Sequence, residues 1–130
     1  MLLIFIDMMN LIIYIFFVVY NLVQAKHDSI RIANNKRIYH GINGALYVMT
    51  ILSWWIVAKD FGVWQAVAVC LMRIPVFNTS LNIFRGLPAH YMSSKTTSII
   101  DKMTYNLVKK IGYYTYNLIL LLISVPIYLI

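Results

Sequence analysis

Four apolar stretches, at 2–24, 41–58, 63–84 and 111–130, take up most of this chain. Each approaches the roughly 20 residues that a helix rising 1.5 Å per residue needs to cross the ~30 Å hydrocarbon layer of a bilayer. With 62% hydrophobic residues and a mean hydropathy of +0.76, the chain exceeds the roughly 45–50% apolar content of a soluble domain. So much apolar surface finds shelter only in lipid. The expectation is a single all-α domain of 130 residues, an integral membrane protein with about four transmembrane helices. The N-terminus lacks the basic segment and small-residue cleavage site of a signal peptide, so the first stretch is expected to remain as a helix.

The polar residues fall into two long segments, 25–40 and 85–110. The first carries Lys26, Arg31, Lys36 and Arg37, and the second Arg85, Lys95, Lys102, Lys109 and Lys110. The turn Lys59-Asp60-Phe61-Gly62, flanked by Trp54, Trp55 and Trp64, has a single cation. With four crossings, both basic segments lie on one side. The positive-inside rule makes that side the cytoplasm of a bacterial inner membrane, with both termini outside. The net charge of +7 arises from 11 Lys and Arg against four acids, all Asp. In a soluble chain it would suggest nucleic acid. Here it indicates basic loops on anionic lipid and no nucleic-acid partner.

Three local signals refine this picture. Asn34-Asn35 marks a turn after the first helix, and Gly86-Leu87-Pro88 a stop after the third. From Ser98-x-x-Asp101, which resembles a capping box, Ile99, Ile100, Met103, Leu107 and Ile111 line one helical face and Lys102 and Lys109 the other. That is the pattern of a short amphipathic helix lying in the interface. Cys70, the lone cysteine, rules out an internal disulfide.

Three constellations carry chemistry. Arg73 lies 11 residues beyond Gly62, about 16 Å into the bilayer, and needs a partner there. Asp7 heads a polar stripe on the first helix (Asp7, Asn10, Tyr14, Asn21) and enters from the same side, so an intramembrane Asp7–Arg73 pair is expected. The alternative is that Pro75 ends the span early and Arg73 snorkels inward. His27, Asp28, His40, His90 and Asp101 share the basic side and are candidate metal ligands, because imidazole and carboxylate suit zinc, manganese or iron. Asn78, Asn82, Arg85 and Tyr91 are candidates for a phosphate or lipid headgroup, since a guanidinium grips phosphate through paired hydrogen bonds. Lys36, Arg37 and Lys95 would add charge. His40, Asn43 and Tyr47 share one face of the second helix. No Walker A loop, HExxH, GxSxG, CxxC or DGxxAR motif is present, so no standard catalytic signature applies.

Arg73-Ile-Pro-Val-Phe77-Asn78, Ser80-Leu-Asn82, Arg85-Gly-Leu-Pro88 and Tyr91 together resemble a group of small bacterial and phage membrane proteins with an R-x-P-x-F-[DN]-x-x-x-N-x-x-R-G-x-P-x-x-Y stretch. Ser98-Ile-Ile-Asp101-Lys102, Lys26-His27-Asp28 and Ile38-Tyr-His40-Gly fit the same pattern. The resemblance implies the membrane class and no mechanism. The leading expectation is a binding or accessory protein, with the bilayer and its anionic headgroups, a membrane-protein partner or a second copy as partners. The rivals are a membrane-embedded enzyme, a hydrolase or transferase with or without a metal, acting on a phosphorylated lipid, and a small transporter or channel subunit.

Overall fold

The computed structural model describes residues 2–92 and 99–130, with side chains from Met8 onward apart from Ile100. The loop at 93–98, including Lys95 and the capping residue Ser98, lies outside the described residues. Every regular element among the described residues is a helix: α1 Leu2–Ala33, α2 His40–Val57, α3 Val63–Phe84, α4 Ile99–Ile111 and α5 Tyr113–Leu129.

Two helix ends at the same end of the molecule close in the same way. At the end of α1, Asn35 adopts φ 55°, and the amides of Asn35 and Lys36 donate to the carbonyls of Ile32 and Arg31 at 3.0 and 2.8 Å. At the end of α3, Gly86 takes φ 71°, and the Gly86 and Leu87 amides donate to Ile83 and Asn82 at 3.0 and 2.9 Å. Both are Schellman motifs, in which a left-handed residue lets the chain fold back and satisfy the last carbonyls. α1 therefore runs through Lys26–Arg31, residues expected in a polar segment.

Side-chain contacts set the helix directions. Going up α1, Tyr14 bonds Ser124 of α5, Asn21 meets Met72 and Arg73 of α3, and Lys26 lies over Phe84. α1 and α3 are therefore parallel. α2 runs the other way, with Trp54 against Phe16 and Asn43 against Asp28. So does α5, with Tyr113 against Thr79 and Gln65 donating to the Tyr128 carbonyl. The result is an up–down bundle with α3 packed between α1 and α5.

The buried cluster joins Ile13 and Phe17 of α1, Tyr47 and Ile51 of α2, Phe61, Ala68, Val69 and Met72 around α3, and Tyr128 of α5. Phe17 is its hub, stacked on Phe61 at 5.9 Å and edge-on to Tyr47 at 5.5 Å between ring centroids. Such contacts stabilise the bundle through close packing and edge-to-face ring geometry. Pro75 is buried within α3 and the helix continues through it, as membrane helices allow when neighbours enclose the bend.

Met8–Ala33 and Val63–Phe84 are long and apolar enough to cross a membrane, and α4 with α5 would make a third span if the bent pair is one. That pair meets at 112°, where Gly112 takes φ 89°. Ile99, Met103, Leu107 and Ile111 lie exposed along α4, while Thr104 is buried and hydrogen-bonded to Tyr116 of α5.

Candidate functional site

The end of the bundle holding the C-termini of α1 and α3 and the N-termini of α2 and α5 gathers most of the charged side chains of the described residues. Four groups can be distinguished there, from the deepest outward.

Arg73 is the deepest. Its Nη1 donates to Asn21 Oδ1 at 2.5 Å, and its guanidinium lies between the Tyr47 and Phe77 rings at 4.5 and 4.7 Å. Asn21, fully buried, donates from Nδ2 to the Phe17 carbonyl at 2.7 Å. The Tyr47 hydroxyl donates to the Val69 carbonyl at 2.7 Å. The cation is thus lodged by an amide oxygen and two ring faces. The Asp7 side chain lies outside the described residues. On α1 its backbone is about 21 Å short of Asn21, the residue level with Arg73.

Next outward is Asp28, 1% exposed. Asn43 Nδ2 donates to its two oxygens at 3.4 and 3.2 Å, and His27 Nδ1 stands 3.5 Å away. Gln24 lies one helical turn deeper, and its Oε1 is buried without a hydrogen-bond partner.

The third group forms around the α1–α2 turn. Arg31 folds the turn, donating from Nε and Nη2 to the Arg37 carbonyl at 3.1 and 2.7 Å, with its guanidinium over the Tyr39 ring. The turn encloses an open pocket of about 720 Å³ lined by Lys36, Arg37 and His40 with Ile32 and Ile38–Ile42. α2 begins inside that lining. No side chain caps its first amides, and a Cβ added at Gly41 would meet nothing within 4 Å. Free amides, the positive helix end and three basic side chains make this the most anion-friendly place among the described residues.

The fourth group lies at the end of α3. Asn78, Asn82, Arg85 and Tyr91 line one pocket of about 140 Å³ with Asp101 and Tyr113. The four headgroup candidates from the sequence therefore do meet. Asn82 has both amide protons engaged, donating to the carbonyls of Ala89 and Tyr91 at 2.8 Å each. It shapes the return loop. With Asp101 in the same wall, this pocket has mixed charge.

The five metal candidates are dispersed. His27 and Asp28 are neighbours, His40 lines the α1–α2 pocket, His90 meets the Tyr114 hydroxyl at 3.4 Å, and Asp101, on α4, lines the pocket beside the end of α3. Among the described residues no three His, Cys, Asp or Glu side chains come together as a metal site would require. Two residues now central had weak signals in the sequence. Asn21 belonged to the polar stripe, and Asn43 shared a helical face with His40 and Tyr47, but periodicity does not name the partner on another helix. Compared with protein-family models, curated proteins and solved structures, the chain finds no match.

Proposed function

We propose that this chain is a multi-pass membrane protein that binds the phosphate of anionic lipid headgroups at its basic end. α1, α2, α3 and α5 cross the bilayer and α4 lies flat on it, with the basic end in the cytoplasm. The observation that carries the binding reading is the pocket where Lys36, Arg37 and His40 surround the uncapped start of α2. Cationic side chains attract anionic lipid by about 1 kcal/mol each, and free helix N-terminal amides add directed donors for phosphate oxygens. The pocket around Arg85 suits an anion less well, because Asp101 shares its wall.

Native mass spectrometry of the detergent-solubilised protein with phosphatidylglycerol and phosphatidylcholine tests this. Phosphatidylglycerol should bind preferentially, and Lys36→Gln and Arg37→Gln should each lower its affinity by about fivefold. Equal binding of both lipids, or unchanged binding in the double variant, would refute the assignment. The enzyme reading draws on the mixed-charge pocket, whose Arg85, Tyr91 and Asp101 could hold and polarise a phosphorylated group. Release of phosphate from a lipid phosphate monoester, lost in Arg85→Gln, would favour it.

A further inference from the structure

The charge around the α1–α2 turn is not balanced from within the protein. Lys36, Arg37 and His40 line its pocket and no acidic residue does. Among the described residues none of the three pairs with a carboxylate. Arg31 is a further cation at the same turn, but its Nε and Nη2 are engaged by the Arg37 carbonyl. It fixes the turn and leaves a ligand to its neighbours. Asp28, the nearest acid along α1, is 1% exposed and held by Asn43.

Hydrogen-bond donors are in surplus there as well. The Asn43 amide is the first of α2 to reach a carbonyl one turn back, that of Tyr39 at 3.0 Å. The amides of His40, Gly41 and Ile42 therefore have no partner within the helix. All three residues line the pocket, and Gly41 places no side chain in the way of a group approaching its amide. A phosphomonoester carries about −1.5 to −2 charges at pH 7 and three acceptor oxygens. A phosphodiester has a single charge and one oxygen fewer to offer, so it leaves part of this donor set unused. Ile32, Ile38 and Ile42 complete the lining and give an attached chain an apolar path. Resting on the phosphate-binding reading above, we infer that the site takes a phosphomonoester, the head of a phosphatidic-acid-type lipid, in preference to phosphodiester lipids. Lys36 and Arg37 meet its two charges, and the His40 imidazole and the α2 amides hold the oxygen that a diester lacks.

Phosphatidylmethanol isolates the difference, because it is phosphatidic acid with one methyl added, which makes the phosphate a diester. Native mass spectrometry of the detergent-solubilised full chain compares these two lipids and phosphatidylcholine, with identical chains and at neutral pH. Phosphatidic acid should bind about tenfold more tightly than phosphatidylmethanol, the difference expected of one further charge-assisted hydrogen bond. Phosphatidylmethanol should in turn exceed phosphatidylcholine. His40→Pro removes the imidazole and one amide together and keeps a residue favoured at the first helical position. It should bring the ratio down to about twofold, and His40→Ala, which removes the imidazole alone, should lower it part of the way. Lys59→Gln, which removes a cation at the opposite end, should leave the ratio unchanged. Circular dichroism checks that each variant keeps its helices. Equal binding of phosphatidic acid and phosphatidylmethanol, both above phosphatidylcholine, would overturn the monoester assignment and leave the phosphate reading standing. Equal binding of all three would overturn both. A preference unaltered in His40→Pro and His40→Ala would also refute the proposal. Glycerol 3-phosphate in excess distinguishes the source: phosphatidic acid that it does not displace is a membrane ligand, and displacement assigns the site to a soluble monoester.

Discussion

Arg73 Nη1 donates to Asn21 Oδ1 at 2.5 Å, so an amide oxygen on α1 receives the only guanidinium placed deep within the described bundle. Asn21→Leu removes that acceptor and leaves a half-buried cation facing an apolar side chain. The expected cost is roughly 2–3 kcal/mol, the range for a hydrogen bond to a charged group. Arg73→Met in the same chain should restore much of it, since an apolar pair of similar size has no desolvation to offset. Unfolding in mixed micelles reads both variants, and an unaltered Asn21→Leu protein would rule out this role.

Asn82 ties the end of α3 to the loop at 86–92 through the carbonyls of Ala89 and Tyr91. Asn82→Ala deletes both bonds, at about 1 kcal/mol each. Trypsin should then cut after Arg85 faster than in the parent chain, with helicity unchanged. Cleavage at the parent rate would show that the loop is held by other contacts.

The left-handed residues that close α1 and α3 respond differently to substitution. Gly86→Ala places a Cβ on a residue at φ 71°, at a cost of about 1 kcal/mol. Asn35→Gly should be neutral or slightly stabilising, and Asn35→Val, β-branched at φ 55°, should cost more than Gly86→Ala. Thermal unfolding ranks the three, and any other order would contradict the backbone assignment.

In a Cys70→Ser background, spin labels at Leu107→Cys and Lys102→Cys locate α4. The label at 107 should collide with oxygen from lipid and the label at 102 with a water-soluble nickel reagent, as for a helix lying in the interface. Similar accessibility at both sites would exclude a flat helix.

The helices were legible because their signals are local. Apolar length marked α1, α2, α3 and α5, Gly62 and Gly86 marked the ends of α3, Asn34-Asn35 marked the end of α1, and the 3.6-residue pattern marked α4. The contacts between helices were less legible. Asp7 and Asn21 lie on one stripe of α1, and only the vertical register of α1 against α3 brings Asn21 level with Arg73. That register depends on how Phe17, Phe61 and Tyr47 pack, which no periodicity encodes. Asn78, Asn82 and Arg85 are spaced i, i+4 and i+7, so their meeting in one pocket followed from helix geometry, whereas Tyr91 reaches it through the return loop that Asn82 holds. The five metal candidates came from four different segments, and the fold disperses them.

The alternation of helix directions also shapes the electrostatics. At the basic end two helix C-termini stand beside two N-termini, so the partial negative charges of α1 and α3 are offset by the partial positive charges of α2 and α5. The uncapped amides of α2 act only on a group in contact with them, while at a distance the backbone fields largely cancel, so the long-range potential of this end comes from the ionised side chains. Its range is the Debye length, about 8 Å at physiological ionic strength. Added salt should accordingly titrate the attraction of this end for a charged surface almost to nothing while the bundle itself stays intact.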